Sequence, residues 1–224
     1  MIYLDSNATT RIHPEVLEAM MPFLKDHWYN PSSGYRASKL VRQALEQAHE
    51  QVADLIHAKP EEIVFTGCGT ESNNAVLSFL ASQAGDRKKI VTSGIEHSAI
   101  LRYAEHLSDK YGMSVEQVAV DTDGRLSLEH FGRALALDDA AMASVMWANN
   151  ETGVIQPIAE ACQLAHNAGV PFHTDAIQAV GKTVVNVRDV PVDYLSISGH
   201  KFHAPKGVGA LYIKEGLRFE PLLY

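Results

Sequence analysis

Seven short apolar runs alternate with longer stretches of helical character, which leaves this chain few ways to fold. The runs are "EIVFT" (62–66), "KIVTS" (89–93), "VEQVAV" (115–120), "MASVMWA" (142–148), "VPFHT" (170–174), "DYLSIS" (193–198) and "VGALYI" (208–213). Between them lie stretches such as "TESNNAVLSFLASQ", "SAILRYAEHLSDKY" and "IAEACQLAHNAG". Parallel strands need long crossovers, and a sheet covered by helices on both faces needs strands that are apolar throughout. The pattern predicts an α/β fold of three layers, αβα, around a mainly parallel sheet. Two amphipathic helices are expected earlier, at 14–27 and 37–57, with "YNPSSGY" as a loop between them.

In such a sheet, ligands gather at the carboxyl ends of the strands, where the loops share one edge. Polar clusters follow the runs at those ends: "GCGTESNN", "EHSA", "NNETG", "TDAIQ" and "SGHK". In the first, Gly69 and Thr70 open a helix, whose free amides and dipole suit a phosphate. A tight turn with Thr70 as a plain N-cap fits equally well. Asp175 lies just past a buried strand, where a carboxylate needs a partner such as a protonated ring nitrogen or a helix end to cap. His97 is placed to stack on a ring or shuttle a proton, or simply to start a helix. Asn149 and Asn150 either satisfy their own loop or fix a ligand. A metal site at His200 and His203 lacks acidic or cysteine ligands at suitable spacing.

Lys201 closes the argument. A lysine desolvated at the end of an apolar strand loses its proton more readily and becomes a nucleophile toward carbonyls. One cofactor unites these groups, pyridoxal 5'-phosphate: aldehyde to Lys201, ring nitrogen to Asp175, ring face to His97, and phosphate to Gly69, Thr70, Ser198 and His200.

Composition is compatible with small-molecule chemistry. The 224 residues carry a formal charge of -8, which argues against nucleic acid as a main partner. No stretch approaches the roughly 18 apolar residues of a membrane span, and the N-terminus lacks the pattern of a signal peptide. With Cys68 and Cys162 as the only cysteines, neither a disulfide framework nor a zinc set is available, and a cytoplasmic location is expected.

The motifs "YLDSNATT", "NPSS", "EIVFTGCGTESNN", "EHSA", "VMWANNETGV", "FHTDAIQAVGK" and "SGHKFHAPKGVGALYI" occur in order through the chain. Together they resemble the class V aminotransferase superfamily of fold-type I pyridoxal-phosphate enzymes, and more closely its cysteine desulfurases of the NifS/IscS type. The resemblance implies Lys201 as the Schiff-base lysine and mover of the substrate α-proton, and His97 as the ring-stacking acid/base residue. It further implies Asp175 on the pyridinium nitrogen, Gln178 on the ring hydroxyl, Asn150 on cofactor and substrate carboxylate, and Gly69, Thr70, Ser198 and His200 on the phosphate. The implied reaction converts L-cysteine to L-alanine and passes sulfur through an enzyme persulfide to an iron–sulfur scaffold or other acceptor protein, in a homodimer. Tyr29 and "GYRAS" depart from the family pattern around the substrate entry.

Residues 1–13 then form an N-terminal segment and 14–224 the cofactor-binding large domain. The resemblance implies that the persulfide cysteine and a carboxylate-gripping arginine belong to a smaller C-terminal domain beyond residue 224. Cys68, in the phosphate cradle, and Cys162, mid-helix, do not replace that cysteine. An incomplete form with little turnover of its own is therefore expected. Selenocysteine lyase, cysteine-sulfinate desulfinase and a catalytically inactive module that binds the cofactor remain as alternatives.

Overall fold

A computed structural model describes residues 2–136 and 139–222. The chain's end at 223–224 lies outside the described residues. Helix α1 (Pro14–Lys25) starts on a proline, whose missing N–H costs nothing in a first turn. Helix α2 (Arg36–Leu55) follows. Then come β1 (Ile63–Thr66), α3 (Gly69–Ser82), β2 (Lys89–Ser93), α4 (Ser98–Tyr111), β3 (Ser114–Val118), α5 (Leu128–Leu135), β4 (Ala140–Ser144), α6 (Ile158–Asn167), β5 (Phe172–Asp175), β6 (Tyr194–Ser198) and β7 (Gly209–Ile213). Helix α4 stops at Gly112, whose left-handed φ of 66° suits glycine.

The strands form one sheet in the order β1-β7-β6-β5-β4-β2-β3. The pairs β6/β5, β5/β4, β4/β2 and β2/β3 are parallel. Only β7 runs against its neighbours, pairing antiparallel with both β1 and β6. The carboxyl ends of β1, β2, β4, β5 and β6 therefore share one edge, and the polar clusters stand together there. Chain order reverses between β2 and β4, so the crevice expected of an open α/β sheet opens beside His97 and Asn150.

Every residue of β2, β4, β5 and β6 is buried, as a sheet covered on both faces requires. Successive residues face opposite ways. Thus Ile90, Met142, Tyr194 and Leu211 pack under α3 and α4, while Val91, Ala143, Leu195 and Tyr212 pack in the layer that holds α5 and α6. The three expected layers are present.

Differences from the sequence expectation are local. Strand β4 stops at Ser144, where its pairing with β2 ends, and the chain beyond it still bonds to β5: Val145 N–H donates to His173 O at 3.1 Å and Trp147 N–H to Asp175 O at 2.9 Å. Helix α5, a short helix between β3 and β4, opens on Ser127, whose hydroxyl accepts the His130 N–H. Helix α1 buries none of its residues, and Leu17, Leu24 and Trp28 stand exposed. Among the described residues, no helix is long and apolar enough to cross a membrane.

Candidate active site

One cavity of about 220 Å³ at the carboxyl edge is lined by Gly69, Thr70, His97, Asn150, Asp175, Gln178, Ser198, His200 and Lys201. Every residue assigned to the cofactor from sequence thus meets in one place. Cys68, Met146 and Ile177 complete the wall.

Asp175 ends β5 and is 4% exposed. Its Oδ2 accepts the Asn73 amide at 2.7 Å, and its Oδ1 accepts the Ile177 N–H at 3.0 Å. Burial pushes its carboxyl pKa upward, while these donors, His97 and Lys201 draw it back down. No helix follows directly, so Asp175 closes a local turn rather than capping a helix.

Lys201 ends a short 3-10 turn, 199–201, after β6. Burial lowers its pKa, against the pull of Asp175 and Asp5. Its Nζ donates to the backbone carbonyls of Asn7 and Ala8 at 2.5 and 2.9 Å. The same segment is held by Gln178 Nε2 on Asn7 O at 2.8 Å and by Thr10 N–H on His200 O at 2.9 Å. Residues 7–10 therefore form part of the site, although no side chain in them was singled out beforehand. Lys182 joins through Gln178 Oε1 at 2.5 Å.

His97 starts a helix and also lines the cavity. As N-cap of α4, its Nδ1 accepts the Ala99 N–H at 3.1 Å, which leaves Nε2 as the nitrogen to carry the proton of the neutral ring. The two asparagines divide. Asn149 serves its own loop, its Oδ1 accepting from Glu151 and Thr152 N–H groups at 2.9 Å, whereas Asn150 lines the cavity.

The N-cap of α3 is Cys68, not Thr70, and Cys68 provides no side-chain cap bond to the first-turn amides. A Cβ on Gly69 would lie 2.2 Å from Ile177 Cδ1 and 3.1 Å from Ser198 Cβ, so any larger residue would have to displace the Ile177 tip at this cavity wall. His200 anchors on Thr9 Oγ1 at 3.1 Å, and burial together with Lys201 and Lys206 lowers its pKa. Among the described residues, no group of His, Cys, Asp and Glu gathers to hold a metal ion.

These features fit pyridoxal phosphate: a buried carboxylate for a ring nitrogen, a lysine with a depressed pKa for an aldehyde, and a glycine cradle at a helix start for a phosphate. Asn73 and Glu96 escaped the sequence argument; the doubled "NN" after "TES" and the glutamate beside His97 were their only signals.

Fold and site define an αβα protein with a cavity lined by a lysine and an aspartate at its switch point. Residues 2–224 match the family described as Aminotransferase class-V, and the chain belongs to that family. It is 48% identical over 224 residues to the cysteine desulfurase NifS of Azotobacter vinelandii, covering 99% of this chain. Among solved structures, a NifS-like protein matches with a TM-score of 0.93 at 39% identity, covering all of this chain and 61% of its own. The apo cysteine desulfurase of Thermococcus onnurineus NA1 also matches at 0.93, with 35% identity, all of this chain covered and 56% of its own. The chain spans 55% of the length of the Azotobacter relative.

Proposed function

We propose that this chain holds pyridoxal 5'-phosphate and forms the large-domain part of a cysteine desulfurase, which takes L-cysteine to L-alanine and leaves the sulfur as a protein persulfide. The observation that carries the reading is the meeting of Lys201, Asp175 and the Gly69 cradle in one cavity; the named relatives support the choice of reaction. When bound, the cofactor supplies an aldehyde for amines and a ring that withdraws electrons from the adjoining carbon. Lys201 is the residue that anchors it and then moves the substrate α-proton at Nζ. Asp175 keeps a proton on the ring nitrogen. Gly69, Thr70, Ser198 and His200 hold the phosphate, Gln178 the ring hydroxyl, and Asn150 orients the cofactor and substrate carboxylate. His97 covers the ring face and exchanges protons through Nε2.

In this reading residues 14–224 are the cofactor domain and 1–13 a segment laid across it. The exposed Leu17, Leu24 and Trp28 support further covering surface, from a second copy in a homodimer or from a smaller domain. An iron–sulfur scaffold or similar acceptor takes the sulfur. Both cysteines are free, which agrees with a reducing cytoplasm.

The visible absorption spectrum after adding pyridoxal phosphate, with Lys201→Ala alongside, tests the cofactor assignment. A band of lysine-linked cofactor in the parent and its absence in the variant supports the site. No band in either protein removes the assignment for this chain. Alanine release from cysteine, compared with selenocysteine and cysteine sulfinate, then separates the desulfurase from its relatives; a bound cofactor with no turnover of any of them identifies a binding module.

A further inference from the structure

Glu96 is 6% exposed and sits immediately before His97. Burying a carboxyl in a strand-to-helix turn is unfavourable unless its partners require it there. Its Oε1 accepts the Ser93 hydroxyl at 2.5 Å and the Met146 N–H at 2.9 Å. Ser93 ends β2 and Met146 follows β4, so this one oxygen bridges the two strands between which the chain order reverses. A second tie lies next to it: Asn149 Nδ2 donates to Ile95 O at 3.0 Å. The turn that delivers His97 is therefore fastened to the β4 exit at two consecutive residues, 95 and 96. Met146 and His97 both line the cavity.

We propose that Glu96 is the positioning residue for His97, clamping the β2–α4 turn to the β4 exit so that the imidazole stays on the cavity wall. The clamp works as the neutral acid. Glu96 Oε2 is buried and has no partner, a poor place for half of an ionised carboxylate. Burial and the nearby charge of Asp175 push the Glu96 pKa up to about 8, against the pull of Ser93 and Met146. Two buried carboxyls then divide the work, Asp175 with the Asn73 amide on its Oδ2 as a cavity residue and Glu96 as an uncharged brace. The functional weight of this rests on the assignment of His97 proposed above; the geometry does not.

The test reads His97 in the chain without cofactor, so its outcome is separate from whether pyridoxal phosphate binds. Imidazole nitrogen and ring-proton NMR signals, with His97→Gln used to identify those of His97, report its tautomer and immobilisation. Glu96→Gln keeps the accepting oxygen and leaves the His97 signals in place. Glu96→Ala, and more gently Ser93→Ala, moves them toward the averaged pair of a freely exchanging histidine, while other histidine signals such as those of His173 remain. Addition of pyridoxal phosphate then restores the His97 signals only partly. If His97 is unmoved in folded Glu96→Ala and Ser93→Ala, the clamp is refuted; if Glu96→Gln displaces it as far as alanine does, or fails to fold, the neutral-acid brace is refuted. Should Glu96→Ala not fold, Ser93→Ala and Glu96→Gln decide.

Discussion

Asn73 of α3 donates a 2.7 Å hydrogen bond to Oδ2 of Asp175 at the end of β5, closing a separation of 102 residues. Both side chains are buried. The bond stabilises the charged carboxylate where burial alone favours the neutral acid. It thereby draws the carboxyl back toward the anion that the cofactor reading requires.

Asn73→Leu removes that donor and raises the Asp175 pKa further. We expect weaker capture of pyridoxal phosphate at neutral pH, partial recovery as pH rises and Asp175 ionises, and a stability loss of about 1–3 kcal/mol from the unsatisfied oxygen. Binding titrations across pH check this. An affinity profile parallel to that of the parent would falsify the role given to Asn73.

Glu96 and His173 impose opposite pH dependences on stability. The Glu96 pKa is raised by burial to about 8, so its contribution is fully present below its ordinary carboxyl value and is lost as pH climbs through 8. That of His173, held between Ser144 and Ser196 hydroxyls at 2.9 and 3.0 Å, is lowered by burial to about 3. Its contribution is present above its ordinary imidazole value and is lost as pH falls toward 3. Each slope is ~1.4 kcal/mol per pH unit, and the two cancel between the ordinary values. Urea midpoints should therefore be flat in mildly acidic buffer and fall on either side. Glu96→Gln should keep its stability up to pH 8; a decline as steep as the parent's counts against the protonated Glu96.

Cys162 lies beside His166, Sγ to Nδ1 3.9 Å, and His166 Nε2 bonds Asp193 Oδ2 at 3.0 Å, an order of groups that resembles an activated nucleophile. Burial nevertheless pushes its thiol up to about 12. Alkylation of the native chain at pH 8 should modify the exposed Cys68 and spare Cys162, as peptide mass mapping would show. Pyridoxal phosphate should slow labelling of Cys68, which lines its cavity. Rapid labelling of Cys162 would contradict its burial.

Two glycines should differ in what alanine does to them. At Gly209 a Cβ would meet the Cys68 carbonyl carbon at 2.7 Å and Ile197 O at 2.9 Å, both backbone atoms that cannot turn aside. At Gly69 the nearest obstacle is the tip of Ile177. Gly209→Ala should cost about 2–3 kcal/mol and Gly69→Ala nearer 1, by the usual scale of overpacking. Only Gly69→Ala should selectively weaken pyridoxal phosphate relative to unphosphorylated pyridoxal. Equal loss for both ligands would separate Gly69 from the phosphate.

Much of this site was legible because its parts follow strands. Lys201, Asp175, His97 and Thr70 each lie just beyond, or at the end of, an apolar run, and parallel strands bring such positions to one edge. Less was legible where the chain's own contacts decide the role. The doubled asparagine at 149–150 gave no hint that one residue would serve the loop and the other the cavity. Thr70 fitted a phosphate donor and an N-cap equally, and it is Cys68 that holds the cap position.

The sequence by itself determined the alternation of strands and helices, the αβα layers and the shared edge, because period, run length and polar interruptions are local properties of the chain. Only the tertiary structure decided that Asn73 reaches Asp175, that Glu96 bridges Ser93 to Met146, and that the carbonyls of Asn7 and Ala8 meet a lysine 194 and 193 residues away. A buried polar group is satisfied by whatever lies across from it, and packing rather than local pattern brings that partner there.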